Sequence, residues 1–263
     1  MFGKLFGRIL ETRDSVVARV PEGMRVYCIG DIHGRVDLLG ALHRGIVEDA
    51  ASAEPMRNVA IYLGDYVDRG MHSREVIDLV LDNPLPEFDT IYLKGNHDDS
   101  LLRFLQDPEV GPAWFSYGGD ATVLSYGVRM APNKIGRDRF EDMRLQLEAN
   151  LPARHREFLE SLQMTHVCGD YLFVHAGLRP GVPLARQNPD DMMWIREEFL
   201  ESRYDFGKVV VHGHSVTEAP EMKPNRIGID TGAYASNTLT CLILEADRHF
   251  FISTEKATKV PST

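Results

Sequence analysis

The stretch Val59-Ala60-Ile61-Tyr62-Leu63-Gly64-Asp65-Tyr66-Val67-Asp68-Arg69-Gly70 sets the architecture expected of this chain. Five apolar residues end on a glycine, then on two carboxylates and a guanidinium. That is the pattern of a buried strand running into a polar loop. The same arrangement occurs on either side of it. Val26-Tyr27-Cys28-Ile29 leads into Gly30-Asp31-Ile32-His33-Gly34, and Thr90-Ile91-Tyr92-Leu93 leads into Gly95-Asn96-His97-Asp98. Helical spacing follows each loop, as with Val36, Leu38, Leu39, Leu42 and Ile46 after the first. Asp31, Asp65 and Asn96 recur at roughly thirty residues, the length of one strand–helix–strand crossover. Parallel strands joined in this way end on one edge of a sheet, where ligand sites collect. Carboxylates, an imidazole and an amide gathered there predict a metal site.

The 263 residues suffice for one substantial core, with a subsidiary insertion rather than a second domain. A net charge of −10 argues against non-specific nucleic-acid binding, which needs a basic face. An acidic protein that handles phosphate must supply positive charge locally, through cations or placed arginines. Cys28, Cys168 and Cys241 are too few and too scattered for a disulfide framework or a zinc knuckle, and they read as buried thiols. No stretch is long enough to span a membrane. Met1 to Leu10 lacks the uncharged apolar block and cleavage site of a signal peptide, so it reads as a short helix packing on the domain. A cytoplasmic location is expected.

Residues 1–23 form a lead-in ending at the turn Pro21-Glu22-Gly23. One domain is expected over 24–253, with a tail at 254–263. Asp107-Pro108 and Gly111-Pro112 interrupt the strand–helix alternation. Ala113 to Gly127, rich in aromatics and glycine, suits an irregular lid or pocket wall. Two amphipathic helices are expected between Arg137 and Leu162, so that about 107–163 forms a lid and helical cap insertion. Strands resume at Met164–Cys168 and Tyr171–His175, joined by a Gly169-Asp170 turn. Asp190–Ser202 reads as a helix. Val209-Val210-Val211 is a buried strand, and three further strands, 226–230, 239–245 and 249–253, finish the chain. Crossovers first and hairpins later give a mixed α/β fold.

Asp-x-His-Gly, Gly-Asp-x-Val-Asp-Arg-Gly and Gly-Asn-His-Asp, in that order, resemble the core of the phosphoprotein phosphatase family, in its bacterial and phage-type serine/threonine branch. That family lies within the calcineurin-like metallophosphoesterase superfamily. Val174-His175-Ala176-Gly177-Leu178 and Val211-His212-Gly213-His214 continue the resemblance, which runs from about Arg25 to Leu244. It implies two packed mixed β-sheets flanked by helices, an αββα four-layer arrangement. It also implies a phosphomonoesterase using a hydroxide that bridges two divalent ions. Oxygen and imidazole ligands without thiolate suit manganese, iron or zinc, and suit calcium poorly.

Position by position, the resemblance gives Asp31 and His33 to a first metal and Asp65 as the bridge. Asn96, His175 and His214 go to a second. Singly, Asp31, Asp65 or Asn96 would read as a turn or helix-cap residue. Together, with two histidines each closing an apolar strand, they read as ligands. His97 matches the proton donor to the leaving oxygen, and Asp68 the carboxylate that orients it. Asp98 reads as a helix cap or as support behind the ligands. Arg69 matches one phosphate-clamping arginine, and Arg196 is the candidate for another, ahead of Arg179 and Arg203. The sequence after His214 lacks the extra histidine of the wider superfamily. His212 is expected behind the ligands or facing substrate. Gly118-Gly119-Asp120 reads as a turn or a substrate-contacting loop, and 229–233 as a segment flanking the site. His43, His72, His155, His166 and His249 match no motif.

The expected substrate is a phosphorylated protein or a small phosphoester, with no nucleic-acid partner; the oligomeric state is left open. A rival enzyme is a symmetrical dinucleoside tetraphosphate hydrolase, whose related motif lacks an acid at the position of Asp68. A rival of another class is a phosphate-binding module that has lost catalysis, which would require a missing ligand.

Overall fold

In the computed structural model, residues 18–82, 85–131 and 133–254 are described. The helix expected at Met1–Leu10 and most of the tail lie outside them. Ten strands fall in the described residues: β1 (Met24–Ile29), β2 (Arg57–Tyr62), β3 (Asp89–Tyr92), β4 (Thr165–Cys168), β5 (Tyr171–Val174), β6 (Val209–His212), β7 (Glu221–Lys223), β8 (Arg226–Gly228), β9 (Thr240–Glu245) and β10 (Arg248–Ser253). They form two five-stranded mixed sheets, in the orders β10-β9-β1-β2-β3 and β4-β5-β6-β8-β7. β1, β2 and β3 run parallel, as the crossover spacing predicts, while β9 pairs antiparallel with β1. In the second sheet β5, β6 and β8 are parallel, with β4 and β7 antiparallel at the edges.

Side chains alternate along each strand, and the alternation divides the interior. Val26 and Cys28 of β1 face the second sheet and join Ile61, Phe173, Val211 and Leu242 in a core between the sheets. Tyr27 and Ile29 point the other way, into a larger core beneath helices α1 (Val36–Ser52), α2 (Ser73–Leu81) and α3 (Asn96–Gln106). A third cluster covers the outer face of the second sheet, where Leu172, Val174 and Val210 meet Met192, Ile195 and Phe199. Helices therefore flank two stacked sheets, the expected four-layer α/β arrangement. No described helix is long and apolar enough to cross a membrane.

Several local expectations change. Ala113–Gly127 is helical rather than irregular, as α4 (Gly111–Ser116) and α5 (Gly119–Ser125). The two amphipathic helices are present as α6 (Gly136–Asn150) and α7 (Ala153–Ser161). Within the 107–163 insertion, Tyr117 lines the pocket while much of the rest packs into the main core. Trp114, Val123, Met143, Leu147, Phe158 and Leu159 are buried in the same core as Tyr27 and Ile29, because burying these apolar faces against the sheet removes them from water. The helix expected at 190–202 is split into α8 (Pro189–Trp194) and α9 (Glu197–Leu200), with Ile195-Arg196 between them. The end of the lead-in packs as a strap. Val20 is buried and its amide donates to Ala246 O at 3.0 Å, while Arg19 N donates to the Asp170 carboxylate at 3.0 Å.

Candidate metal and phosphate site

The loops leaving β1 and β2 are locked together by their backbones. The amides of Ile32 and His33 both donate to Asp65 O, at 3.2 and 2.8 Å, and Gly70 N donates to His33 O at 3.1 Å. His33, Asp65, Asp68, Arg69 and His214 all have positive φ. Non-glycine residues rarely adopt that conformation, and it costs energy unless the surroundings enforce it. Here it turns each side chain back over the ends of the strands.

Asp65 is the centre. Its Oδ2 lies 3.5 Å from His33 Nε2, 3.5 Å from His175 Nε2 and 3.9 Å from His97 Nε2. Two groups of potential ligands share it: His33, Asp65 and His97, and Asp65, His175 and His214, each with ligand atoms within 4.8 Å of one another. His33 Nδ1 donates to Val67 O at 3.0 Å and His175 Nδ1 to Leu63 O at 2.9 Å. Those bonds select the tautomer that turns the Nε2 lone pairs inward. His214 is bonded to the Trp194 backbone, and its buried Nε2 has no partner. Asn96 Oδ1 sits 3.0 Å from His175 Nε2, so two electron-pair donors face each other. Asp31 enters beside His214, accepting its backbone N–H at 3.0 Å, and its buried Oδ1 has no partner. It belongs to neither group of three and faces Asp230, which the sequence reading placed only within a flanking segment.

Electrostatics give the same picture. Burial, with the negative charges of Asp230 and Asp65, pushes Asp31 well above the usual carboxylate range, and burial with Asp98 does the same to Asp65. Burial lowers the imidazoles: His175 to about 3, and His33 and His214 well down. Neutral imidazoles, crowded carboxylates, an amide oxygen and orphaned buried acceptors are the donor set that divalent cations neutralise. The residues fit a pair of ions. Asp98 stands behind, accepting the amides of Asp65, Tyr66 and Gly95 at 2.8–3.0 Å.

His97 joins the metal groups on one side and Asp68 on the other. Its Nδ1 lies 2.7 Å from Asp68 Oδ2, which also accepts the indole N–H of Trp114 at 2.6 Å; Thr122 donates to Oδ1 at 2.6 Å. Burial raises Asp68 to about 7 against those hydrogen bonds. Burial and the guanidiniums of Arg69 and Arg196 lower His97 to about 3. Its Nε2 is 3.4 Å from Arg69 Nη2. Arg69 N donates to Gly118 O at 3.0 Å, and its guanidinium lies 4.4 Å over the Tyr234 ring.

Arg196 is freed from helical packing by the break between α8 and α9. Its guanidinium makes only long contacts, 3.4 Å to His214 O and to Ser215 Oγ, and it lines the pocket. Arg179 is held by Asp191 and Glu198, and exposed Arg203 does not line the pocket. His212 does not face substrate: it is buried against Phe199, with Nδ1 3.0 Å from Gly213 O. The pocket, of about 330 Å³, is lined by His33, Asp65, Arg69, Asn96, His97, Tyr117, Trp194, Arg196, His214, Val216 and Asp230. Trp114, Thr122 and Trp194 carried no motif.

A family model described as calcineurin-like phosphoesterase matches residues 24–251. An asymmetrical bis(5'-nucleosyl)-tetraphosphatase PrpE of Anoxybacillus flavithermus is 28% identical over 222 residues, covering 81% of this chain and 88% of that protein. Its counterpart in Bacillus mycoides is also 28% identical, over 83% of this chain and 90% of that one. Among solved structures, one provisionally named a diadenosine tetraphosphatase has a TM-score of 0.60 at 20% identity, covering 90% of this chain and 98% of that chain. A cold-active protein tyrosine phosphatase of a psychrophilic Shewanella has a TM-score of 0.58 at 15% identity, covering 99% of this chain and 87% of that one. Both structures share the fold.

Proposed function

The chain belongs to the calcineurin-like phosphoesterase family and is a metal-dependent phosphoesterase, and on that premise we propose that it is a phosphomonoesterase of the phosphoprotein phosphatase type. Asp31, His33, Asp65, Asn96, His175 and His214 would hold two divalent ions, manganese by preference, with Asp65 shared between them. When bound, the ions supply an activated water and positive charge beside the phosphoryl group. Arg69 and Arg196 hold the phosphoryl oxygens as charge builds.

The observation that carries this reading is the 2.7 Å contact between His97 and Asp68 at the pocket floor. An alkoxide is a poor leaving group and needs a proton, and a buried imidazole backed by a carboxylate delivers one. Burial is the larger cause that holds His97 low, and a phosphate dianion between Arg69 and Arg196 would offset the smaller part due to the two guanidiniums. The inactive-module alternative needs an absent ligand, and all six ligand positions are filled.

The test is turnover of a phosphoserine peptide by manganese-loaded protein, with His97→Asn beside it. The expected loss is about 10²- to 10⁴-fold in kcat at full metal content. Unchanged turnover in the variant removes His97 from the mechanism.

A second reading, hydrolysis of dinucleoside tetraphosphates, is favoured by the relatives that carry that name over four-fifths of this chain. Those relatives are named asymmetrical, whereas the sequence suggested a symmetrical rival. Diadenosine tetraphosphate turned over faster than phosphopeptides at equal enzyme would favour it.

A further inference from the structure

One wall of the pocket is aromatic and open to solvent. Trp194 is 41% exposed and lines the pocket beside Tyr117 and Val216, itself 54% exposed. A large aromatic ring is usually well covered, and apolar surface exposed beside a polar cluster points to a ligand. The two residues before Trp194 on α8, Met192 and Met193, are buried, so the indole alone of the three is turned out. Its ring meets Tyr117 edge to face, with centroids 6.0 Å apart, and His214 likewise at 6.1 Å. Tyr117 in turn lies edge to face with His97 at 5.1 Å, and its hydroxyl is fixed 3.0 Å from Ser100 Oγ. Tyr117 therefore lies one ring-width from the imidazole that faces the leaving oxygen, and Trp194 stands against both Tyr117 and His214.

We propose that Trp194 and Tyr117 form a leaving-group subsite for an aromatic ring attached directly to the ester oxygen, so that aryl phosphate monoesters, such as a phosphotyrosine side chain, are preferred over alkyl ones. The assignment rests on the phosphomonoesterase reading above. An aryl ring one bond from the oxygen falls beside Tyr117 and Trp194. The base of a nucleotide is set farther from the ester oxygen by its ribose. Each aromatic pair is worth roughly two- to tenfold in binding.

The test separates binding from leaving-group chemistry. Benzylphosphonate and ethylphosphonate carry the ring or the alkyl group at the position of the ester substituent, and neither is hydrolysed. Calorimetry on metal-loaded protein is expected to give about tenfold tighter binding of benzylphosphonate. Trp194→Ala is expected to reduce that preference to about twofold, and Trp194→Phe to retain most of it. A wild-type protein without preference, or a preference untouched by Trp194→Ala, overturns the subsite. So does loss of diadenosine tetraphosphate hydrolysis in Trp194→Ala with the benzyl preference intact, which gives the indole to a nucleobase. Failure to turn over either a phosphotyrosine or a phosphoserine peptide would sink the monoesterase reading instead, while the calorimetric ratio still decides the subsite.

Discussion

Trp114 donates its indole N–H to Asp68 at 2.6 Å, on the same carboxylate oxygen that lies 2.7 Å from His97. The indole is completely buried between Phe104 and Phe115. A helix far along the chain thus fixes the carboxylate that holds the His97 ring.

Removing that donor leaves the fully buried Asp68 oxygen with one partner fewer. Trp114→Phe is expected to cost about 1–3 kcal/mol of stability and to lower kcat more than it raises KM. Urea unfolding and steady-state kinetics check both. Asp68→Asn, which withdraws the charge and disturbs the tautomer, is expected to lower kcat by about 10²- to 10⁴-fold.

Chelation should abolish turnover and also weaken the fold, because Asp31 and Asp65 sit buried among like charges. Ligand at a hundred times its dissociation constant stabilises by about 2.7 kcal/mol, or roughly 5–10 °C in Tm for a domain of this size. Thermal melts with and without manganese read this. Asp65→Ala is expected to bind fewer than two ions per chain by elemental analysis, and to lose the manganese-dependent rise in Tm.

Gly118 has φ +111°, and a Cβ there would lie 2.8 Å from both the backbone nitrogen and the Cγ of Arg69. Gly118→Ala is expected to cost about 1–3 kcal/mol and, if Arg69 holds phosphate as proposed, to raise KM by displacing it. An unchanged KM would show that Arg69 holds its place without this contact.

Remote from the site, burial lowers His43 to about 4; its Nε2 lies 2.9 Å from the Tyr62 hydroxyl. The unfolded chain takes up a proton below about pH 6.5 and the folded one only near 4. Stability from this residue is therefore full above pH 6.5 and is lost as pH falls toward 4, by at most about 3 kcal/mol. Urea midpoints at pH 7 and pH 5 should converge in His43→Met relative to the wild type.

What the sequence could and could not reveal follows from distance along the chain. The three parallel strands and their loops were readable because each places apolar alternation directly before its polar residues, so Asp31, His33, Asp65, Asn96 and His97 arrive together by topology. His175 and His214 each follow an apolar run that becomes a strand of the second sheet. Trp114 and Thr122 meet Asp68 only through packing of α4 and α5 on the first sheet, and no local pattern marks that. The helix break at Arg196 was equally hidden, since Met192, Ile195 and Phe199 keep helical spacing across it. β7, three residues long with one half-buried, carries too little alternation to be seen.

His33, Asp68 and Arg69 all hold left-handed backbones, and the Gly70 amide fastens the second loop to His33. Neither loop keeps its shape without the other. The signature is consequently not portable: transplanting Gly64–Gly70 alone into another α/β scaffold would let the backbone relax and scatter its side chains. A designer borrowing this chemistry would have to move both crossovers as one block, together with the helices that clamp them.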